Sequence, residues 1–289
     1  MTSYAQVKRV ALGQARSMQR SALNLICLAT MERDATNGPA IEFRDVTYDL
    51  PNGQRVLASL NLGVQRGEIL VLLGRSGSGK TTTLKLINRL LSPTSGEIRV
   101  EGKAASAEDV VRLRRRIGYV IQEIGLFPHY TVERNIGLVP SIEGWPQEKI
   151  HTRATELLQM VGLDAQLALR YPHQLSGGQR QRVGVARALA ADPQILLMDE
   201  PFGALDPLTR DELQREFLSL QRRLHKTVVF VTHDLNEALR LGSRIALMEA
   251  GTLVTVLSPA DFLRSNNPLA AAYVRAFGSG LDSAANRGA

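Results

Sequence analysis

Apolar runs divide this chain before any motif is consulted. Ile69, Leu70, Val71, Leu72 and Leu73 follow one another without a polar position, and the runs Ile195 to Met198 and Val228 to Val231 are equally unbroken. Short runs with no polar face predict central strands of a parallel sheet that is covered on both sides. The stretch from Ile41 behaves differently. Ile41, Phe43 and Val46 are interleaved with polar residues, Pro51, Asn52 and Gly53 mark a turn, and Val56 to Val64 forms a second interleaved run. That pattern predicts a small antiparallel sheet leading into the Ile69 strand. Lys80 to Leu91 reads as a helix, Ser92 to Gly96 as a turn and Glu97 to Val100 as a short strand. From about Leu113 to Ala191 the pattern is mostly helical. Ile150, Ala154, Leu157, Leu158 and Val161 share one face at helical spacing, with Gly162 placed as the stop. Core packing accounts for that stripe without any function.

Composition narrows the class only a little. With 289 residues, 44% hydrophobic and 22% charged, the chain is long enough to bury a sizeable core. No window approaches the roughly 20 apolar residues of a membrane span. The one cysteine, Cys27, has no partner for an internal disulfide, which suits a reducing compartment. The net charge of +7 points to nucleic acid, an anionic membrane face or a polyphosphate ligand. Its distribution weakens the first two: Lys8, Arg9, Arg16 and Arg20 precede the first acid, Glu32, and the remainder carries an ordinary +3. Residues 1–38 differ from the rest, being basic with an apolar patch from Leu23 to Leu28; a basic arm on the membrane surface, a targeting peptide and an unstructured extension compete there, and the extension is the default reading. Met18 and Met31 are alternative starts. The cluster Arg112, Arg114, Arg115 and Arg116 reads as a solvated face, with contact to anionic lipid headgroups as the lesser alternative.

Candidate chemistry begins directly after the Ile69 strand, at Gly74, Arg75, Ser76, Gly77, Ser78, Gly79, Lys80, Thr81 and Thr82. Two glycines five apart, then Lys and Thr, between a strand and a helix, form a phosphate-binding loop. The glycines let successive N–H groups turn inward, and the helix N-terminus adds its positive end. A triphosphate is the natural occupant: Lys80 places a point charge on its β- and γ-phosphates, and the Thr81 hydroxyl ligates the Mg²⁺ that bridges them.

Further along lies Leu175, Ser176, Gly177, Gly178, Gln179. At this point the chain resembles the ATPase subunits of ABC transporters, from about Ile41 to Leu263. Gln122 after a strand, LSGGQ, the segment Ile195 to Glu200, Gly203 to Asp206, and His233 after a further strand arrive in the family's order. The resemblance implies a P-loop α/β fold with a parallel core sheet, an antiparallel β subdomain and an inserted helical subdomain at about 105–190. The ATPase domain would span 39–265 and a short Gly-, Ser- and Ala-rich tail 266–289.

The physical reading of these positions agrees with that implication. Asp199 ends an apolar strand, where a carboxylate reaches Mg²⁺ at the carboxyl edge of a sheet. Glu200 points differently and can polarise the attacking water. Gln122 can bond both water and a metal shell, and His233 can donate to the γ-phosphate. Ser176 reads as a helix N-cap with the amides of Gly177 and Gly178 bare beside it. In the ABC family that end, with Gln179, completes the γ-phosphate site of a second, head-to-tail copy, and Asp206 lies at the shared interface. Two chains would enclose two ATP molecules. One departure concerns the base. The family stacks adenine on an aromatic four residues after the valine occupied here by Val46, and that place holds Leu50; Tyr48, two residues earlier, is the substitute to test.

Residues Ile117 to Ile136, followed by Gly144, Trp145 and Pro146, resemble importers of quaternary amines such as glycine betaine, choline and carnitine. Leu126, Phe127 and Pro128 beside Gln122 would offer an apolar socket to a membrane subunit. The expected partners are a second copy, transmembrane permease subunits and, indirectly, an extracytoplasmic solute-binding protein, with no nucleic acid. The expected location is peripheral, on the cytoplasmic face of the plasma membrane. Two other readings stay open: transport of another solute or a lipid, and a soluble ABC ATPase acting on DNA or ribosomes.

Overall fold

The apolar runs become the middle of a six-stranded sheet. The computed structural model describes residues 38–122, 125–203 and 205–285, the last nine by backbone alone. By contacts the chain divides into Met1–Pro39 and Ala40–Ala289, and every element below belongs to the second unit. The expected N-terminal extension, with Cys27, lies outside the described residues, Gly38 apart.

Strands β1 (Ile41–Asp49) and β2 (Arg55–Val64) pair antiparallel. Strand β3 (Ile69–Leu73) leads into helix α1 (Lys80–Ile87). The helix ends four residues before the expected Leu91. Arg89 takes a φ of 55°, and Leu90 and Leu91 both donate their N–H back to the Lys85 carbonyl, at 2.8 and 3.2 Å. Arg114 caps this broken end by donating to the carbonyls of Asn88 and Arg89, so it is not simply solvated. Strands β4 (Ser95–Val100) and β5 (Lys103–Ala104) complete a four-stranded sheet ordered β2-β1-β4-β5.

Helix α2 (Val110–Arg115) precedes β6 (Ile117–Val120), and α3 (Val132–Ile136), α4 (Leu138–Ile142), α5 (Gln147–Met160) and α6 (Gly177–Leu189) follow. The range 105–190 expected for the helical part thus also holds β6, which pairs in parallel with β7 (Ile195–Asp199) in the core sheet. All five residues of the expected α5 stripe are buried. Gly162 ends that helix through paired reverse bonds, its N–H to the Gln159 carbonyl and that of Leu163 to the Leu158 carbonyl.

Helix α7 (Pro207–Leu224), β8 (Thr227–Thr232), α8 (Leu235–Leu241), β9 (Arg244–Glu249), β10 (Thr252–Leu257) and α9 (Pro259–Leu263) complete the domain. The tail expected over 266–289 is largely helical: α10 runs Pro268–Ala285, its start capped by the Asn267 side chain, which accepts from the N–H groups of Leu269 and Ala270.

The core sheet is ordered β10-β9-β3-β8-β7-β6, parallel except for β10. Every residue of β3, β7 and β8 is buried, as the unbroken runs require. Alternate residues serve opposite faces. Leu70 and Leu72 join Leu84 of α1 and the antiparallel sheet, while Val71 and Leu73 join the helices on the other side.

Candidate nucleotide site

Parallel strands deliver every candidate group of this site from their carboxyl ends. β3 ends at the glycine loop, β6 at Gln122, β7 at Asp199 and Glu200, and β8 at His233. Ligands of open α/β sheets bind at that edge. Here it opens a cleft of about 790 Å³ lined by Arg75, Ser76, Gly77, Gly79, Lys80, Thr81, Thr82, Gln122, Glu200 and His233, with Val56 and the start of α10 opposite.

The glycine loop takes its shape from backbone that other residues rarely adopt: Gly77 and Gly79 have φ of 79° and 97°. Gly74 is required by close approach, since a Cβ there would stand 2.4 Å from the Met248 carbonyl and 2.6 Å from the Ser78 hydroxyl. Lys80 is buried and its Nζ donates to the carbonyls of Gly74 and Arg75, each at 2.8 Å. Burial holds its ammonium below the ordinary lysine range, against the pull of Glu200 and Asp199. A phosphate offers those N–H groups stronger, charged acceptors.

Thr81 donates its hydroxyl to the Asp199 carboxylate at 3.0 Å. Burial pushes the Asp199 carboxyl up, and the neighbouring Glu200 adds to this against the Thr81 bond and the charges of Lys85 and Lys80. The donor set fits Mg²⁺. One carboxylate and one hydroxyl, both oxygen, sit beside the phosphate cradle, and no cluster of three or more metal-binding side chains occurs among the described residues. Mg²⁺ binds in that manner, through one or two carboxylates plus substrate phosphates.

The raised Asp199 pKa gives a signed prediction. Its carboxyl holds a proton more tightly folded than unfolded, so the cost of the buried charge is present above the folded pKa and shrinks as pH falls through it. Asp199→Asn removes the charge while keeping the shape. Without nucleotide, thermal unfolding is expected about 2–4 °C higher per kcal/mol relieved, while the stabilisation conferred by ATP with Mg²⁺ is lost. A melting temperature below that of the wild type at neutral pH would contradict the account.

Glu200 and His233 meet at the mouth of the cleft, Oε2 to Nδ1, at 3.1 Å. Glu200 holds a left-handed φ of 43°, and its N–H donates to the Val231 carbonyl of β8. Strained non-glycine backbone of this kind concentrates at functional sites. Behind His233 lies a group the sequence did not suggest. Glu237, buried on α8, accepts from the Thr232 hydroxyl at 2.6 Å and from the Gln214 amide at 3.1 Å, and the Thr232 hydroxyl in turn accepts the Asp234 N–H. This network fixes both residues that flank His233.

Other candidates stand apart from the cleft. Ser176 caps α6 by accepting the Gln179 N–H, and Gln179 returns the bond to the Ser176 N–H, a reciprocal box. None of Ser176, Gly177, Gly178 or Gln179 lines the cleft, and Asp206 caps α7 by accepting the Thr209 N–H; hydrogen bonding from the Thr209 side chain, then from its backbone, holds the Asp206 carboxyl below the usual range. Tyr48, the residue expected to meet adenine, does not line the cleft either. Register shifts flank it in β1, and its ring packs on the core between the two sheets. Beside Gln122, Leu126 is partly buried against the core, while Ile121 and Phe127 are exposed apolar side chains among the described residues there. Buried Asn135 knits the loop, donating to the carbonyls of Phe127, Tyr130 and Thr131 and accepting the Phe127 N–H.

Residues 57–203 match the model of the ABC transporter family. The glycine betaine/carnitine/choline transport ATP-binding protein OpuCA of Bacillus subtilis is 52% identical over 225 residues, which are 78% of this chain and 59% of that protein. The chain therefore spans about three fifths of that relative. The glycine betaine uptake system ATP-binding protein YehX of Escherichia coli is 54% identical over 223 residues, 77% of this chain and 72% of that protein. Among solved structures, the dimeric bacterial ABC transporter cassette MJ0796 superposes with a TM-score of 0.70 at 37% identity, covering 76% of this chain and 98% of that one. A dimeric post-hydrolysis state of the same cassette, bound to ADP and Pi, gives 0.69 at 35%.

Proposed function

The chain belongs to the ABC transporter family, and from that premise we propose that it is the ATP-hydrolysing motor subunit of an importer for osmoprotectants of the glycine betaine and choline type. The observation that carries the motor role is the convergence at one sheet edge of the glycine loop, the Thr81–Asp199 pair and the Glu200–His233 pair. Similarity to OpuCA and YehX, named for glycine betaine, carnitine and choline, supports the solute class.

In this reading the loop amides and the α1 N-terminus hold the β- and γ-phosphates, and Lys80 exchanges its loop carbonyls for phosphate oxygens. Mg²⁺ held by Thr81 and Asp199, with Gln122 in its shell, would neutralise charge on those oxygens. Glu200 orients the attacking water and accepts its proton. In the imidazolium form both His233 nitrogens donate, Nδ1 to Glu200 and Nε2 toward the γ-phosphate. The amides beside Ser176, which do not line the chain's own cleft, serve the site of a second, head-to-tail copy, with Asp206 at the shared interface. Movement of the Gln122 loop reaches the permease through Phe127. The expected place is the cytoplasmic face of the plasma membrane; no helix among the described residues is long and apolar enough to cross it. The extracytoplasmic solute-binding protein is an indirect partner.

Uptake of labelled glycine betaine and choline under salt stress tests this, in cells carrying the wild-type chain or Glu200→Gln. Uptake that vanishes with the variant is the expected result. Uptake indifferent to Glu200 would remove the solute class, leaving the site itself to be judged by ATP turnover in vitro.

A further inference from the structure

The cleft has two halves of opposite character. One is polar and belongs to the phosphate loop, Gln122, Glu200 and His233; the other is apolar and consists of Val56 together with Leu269, Ala272, Tyr273 and Ala276 of α10. Those four positions recur at i, i+3, i+4 and i+7, one face of a helix, so α10 turns a continuous apolar stripe into the nucleotide cleft. Leu269 and Tyr273 also pack on the helical-side core, which anchors the stripe. Tyr273 is placed to reach a ligand. It lines the cleft and also the adjoining recess beside Arg75, Gly77 and Glu249, and it is half-buried. A nucleotide has the same two halves. Its phosphates belong with the loop, which leaves the apolar wall for the purine, and a purine face is best met by an aromatic ring. Neither Tyr48, which is partly buried against the core, nor Leu50 lines the cleft, whereas Tyr273 is the one phenolic or phenyl ring among its described lining residues.

Resting on the ATP-site reading above, we infer that Tyr273 is a base-contacting residue of that site, and that α10 forms the apolar wall against which the adenine lies. Nucleotide recognition in this chain therefore depends on a segment beyond the strands and loops that bind phosphate. Base–aromatic stacking spans about 1–3 kcal/mol, so loss of the ring is expected to weaken ATP binding by about 5- to 150-fold.

The test compares ATP with inorganic tripolyphosphate, which keeps the charge and lacks the base. Both are titrated into the wild type, Tyr273→Ala and Tyr273→Phe. Weaker binding of ATP to Tyr273→Ala, unchanged binding of tripolyphosphate and retention of ATP affinity in Tyr273→Phe is the expected pattern. A fluorescence change in Tyr273→Trp on adding ATP, but not tripolyphosphate, provides a second reading that does not depend on the Ala variant's stability. Equal affinity of wild type and Tyr273→Ala for ATP would overturn the inference, as would tighter binding of both ligands to Tyr273→Ala, which would make α10 an obstruction. Failure of the wild type to bind either ligand would instead refute the nucleotide site itself.

Discussion

Glu200→Gln is expected to lower ATP turnover by about 10²- to 10⁴-fold, the range of a positioned general base, while ATP still binds. The carboxylate shares the cleft with the phosphate loop. Its contact is with the His233 ring at 3.1 Å, and its backbone is pinned at a φ of 43° by the bond from its N–H to the Val231 carbonyl. Gln keeps the side-chain length and an oxygen that accepts from His233 Nδ1, so the ring and the strained turn remain in place. What disappears is the capacity to take a proton from water. Phosphate release and nucleotide binding, measured separately, distinguish this from damage to the site. Turnover within several-fold of the wild type would remove Glu200 from the base role, and weakened ATP binding in parallel would indicate a disrupted turn.

The skeleton of this site was legible because its carriers are extreme sequence patterns. A strand covered on both faces must be apolar throughout, so β3, β7 and β8 announced themselves, and the residues following each had to lie at the same sheet edge. What escaped depends on single backbone choices. Asp45 takes a φ of 48°, and the register of β1 shifts between Phe43 and Val46 and again on either side of Tyr48. Counting two residues per face therefore fails there, and Tyr48 ends partly buried against the core rather than among the residues that line the cleft. Arg89 stops α1 without glycine or proline to signal it. Helix α10 did carry a signal, since Asn267 followed by Pro268 is a cap and first-turn pair and Leu269, Ala272, Tyr273 and Ala276 have helical spacing. A composition rich in Gly, Ser and Ala concealed it. That the helix faces the nucleotide cleft rather than solvent is a tertiary fact that no local pattern contains.

A mixture of two inactive variants is expected to recover activity if each ATP site is built from two chains. The first is Lys80→Ala, which empties the phosphate cradle of its charge. The second is Gly177→Asp. A Cβ at Gly177 meets no atom within 4 Å, so the substitution fits the monomer. A carboxylate in the first turn of α6 also complements the helix dipole, worth about 0.3–1 kcal/mol. The variant should fold as well as the wild type, and bind ATP in its own cleft, which Gly177 does not line. It should nevertheless fail to turn over, because the new charge faces the γ-phosphate bound by its neighbour. In a head-to-tail pair of the two variants, one site carries both defects and the other carries neither. Random pairing of equal amounts makes half the dimers mixed, each with one intact site of two, so turnover should return to roughly a quarter of the wild-type level when the sites act independently. Recovery requires that Ser176 and its neighbours act across the interface, since within one chain no mixture repairs either defect. A mixture that stays inactive although mixed dimers are isolated would refute the shared site, and wild-type turnover by Gly177→Asp alone would place the α6 terminus outside the chemistry.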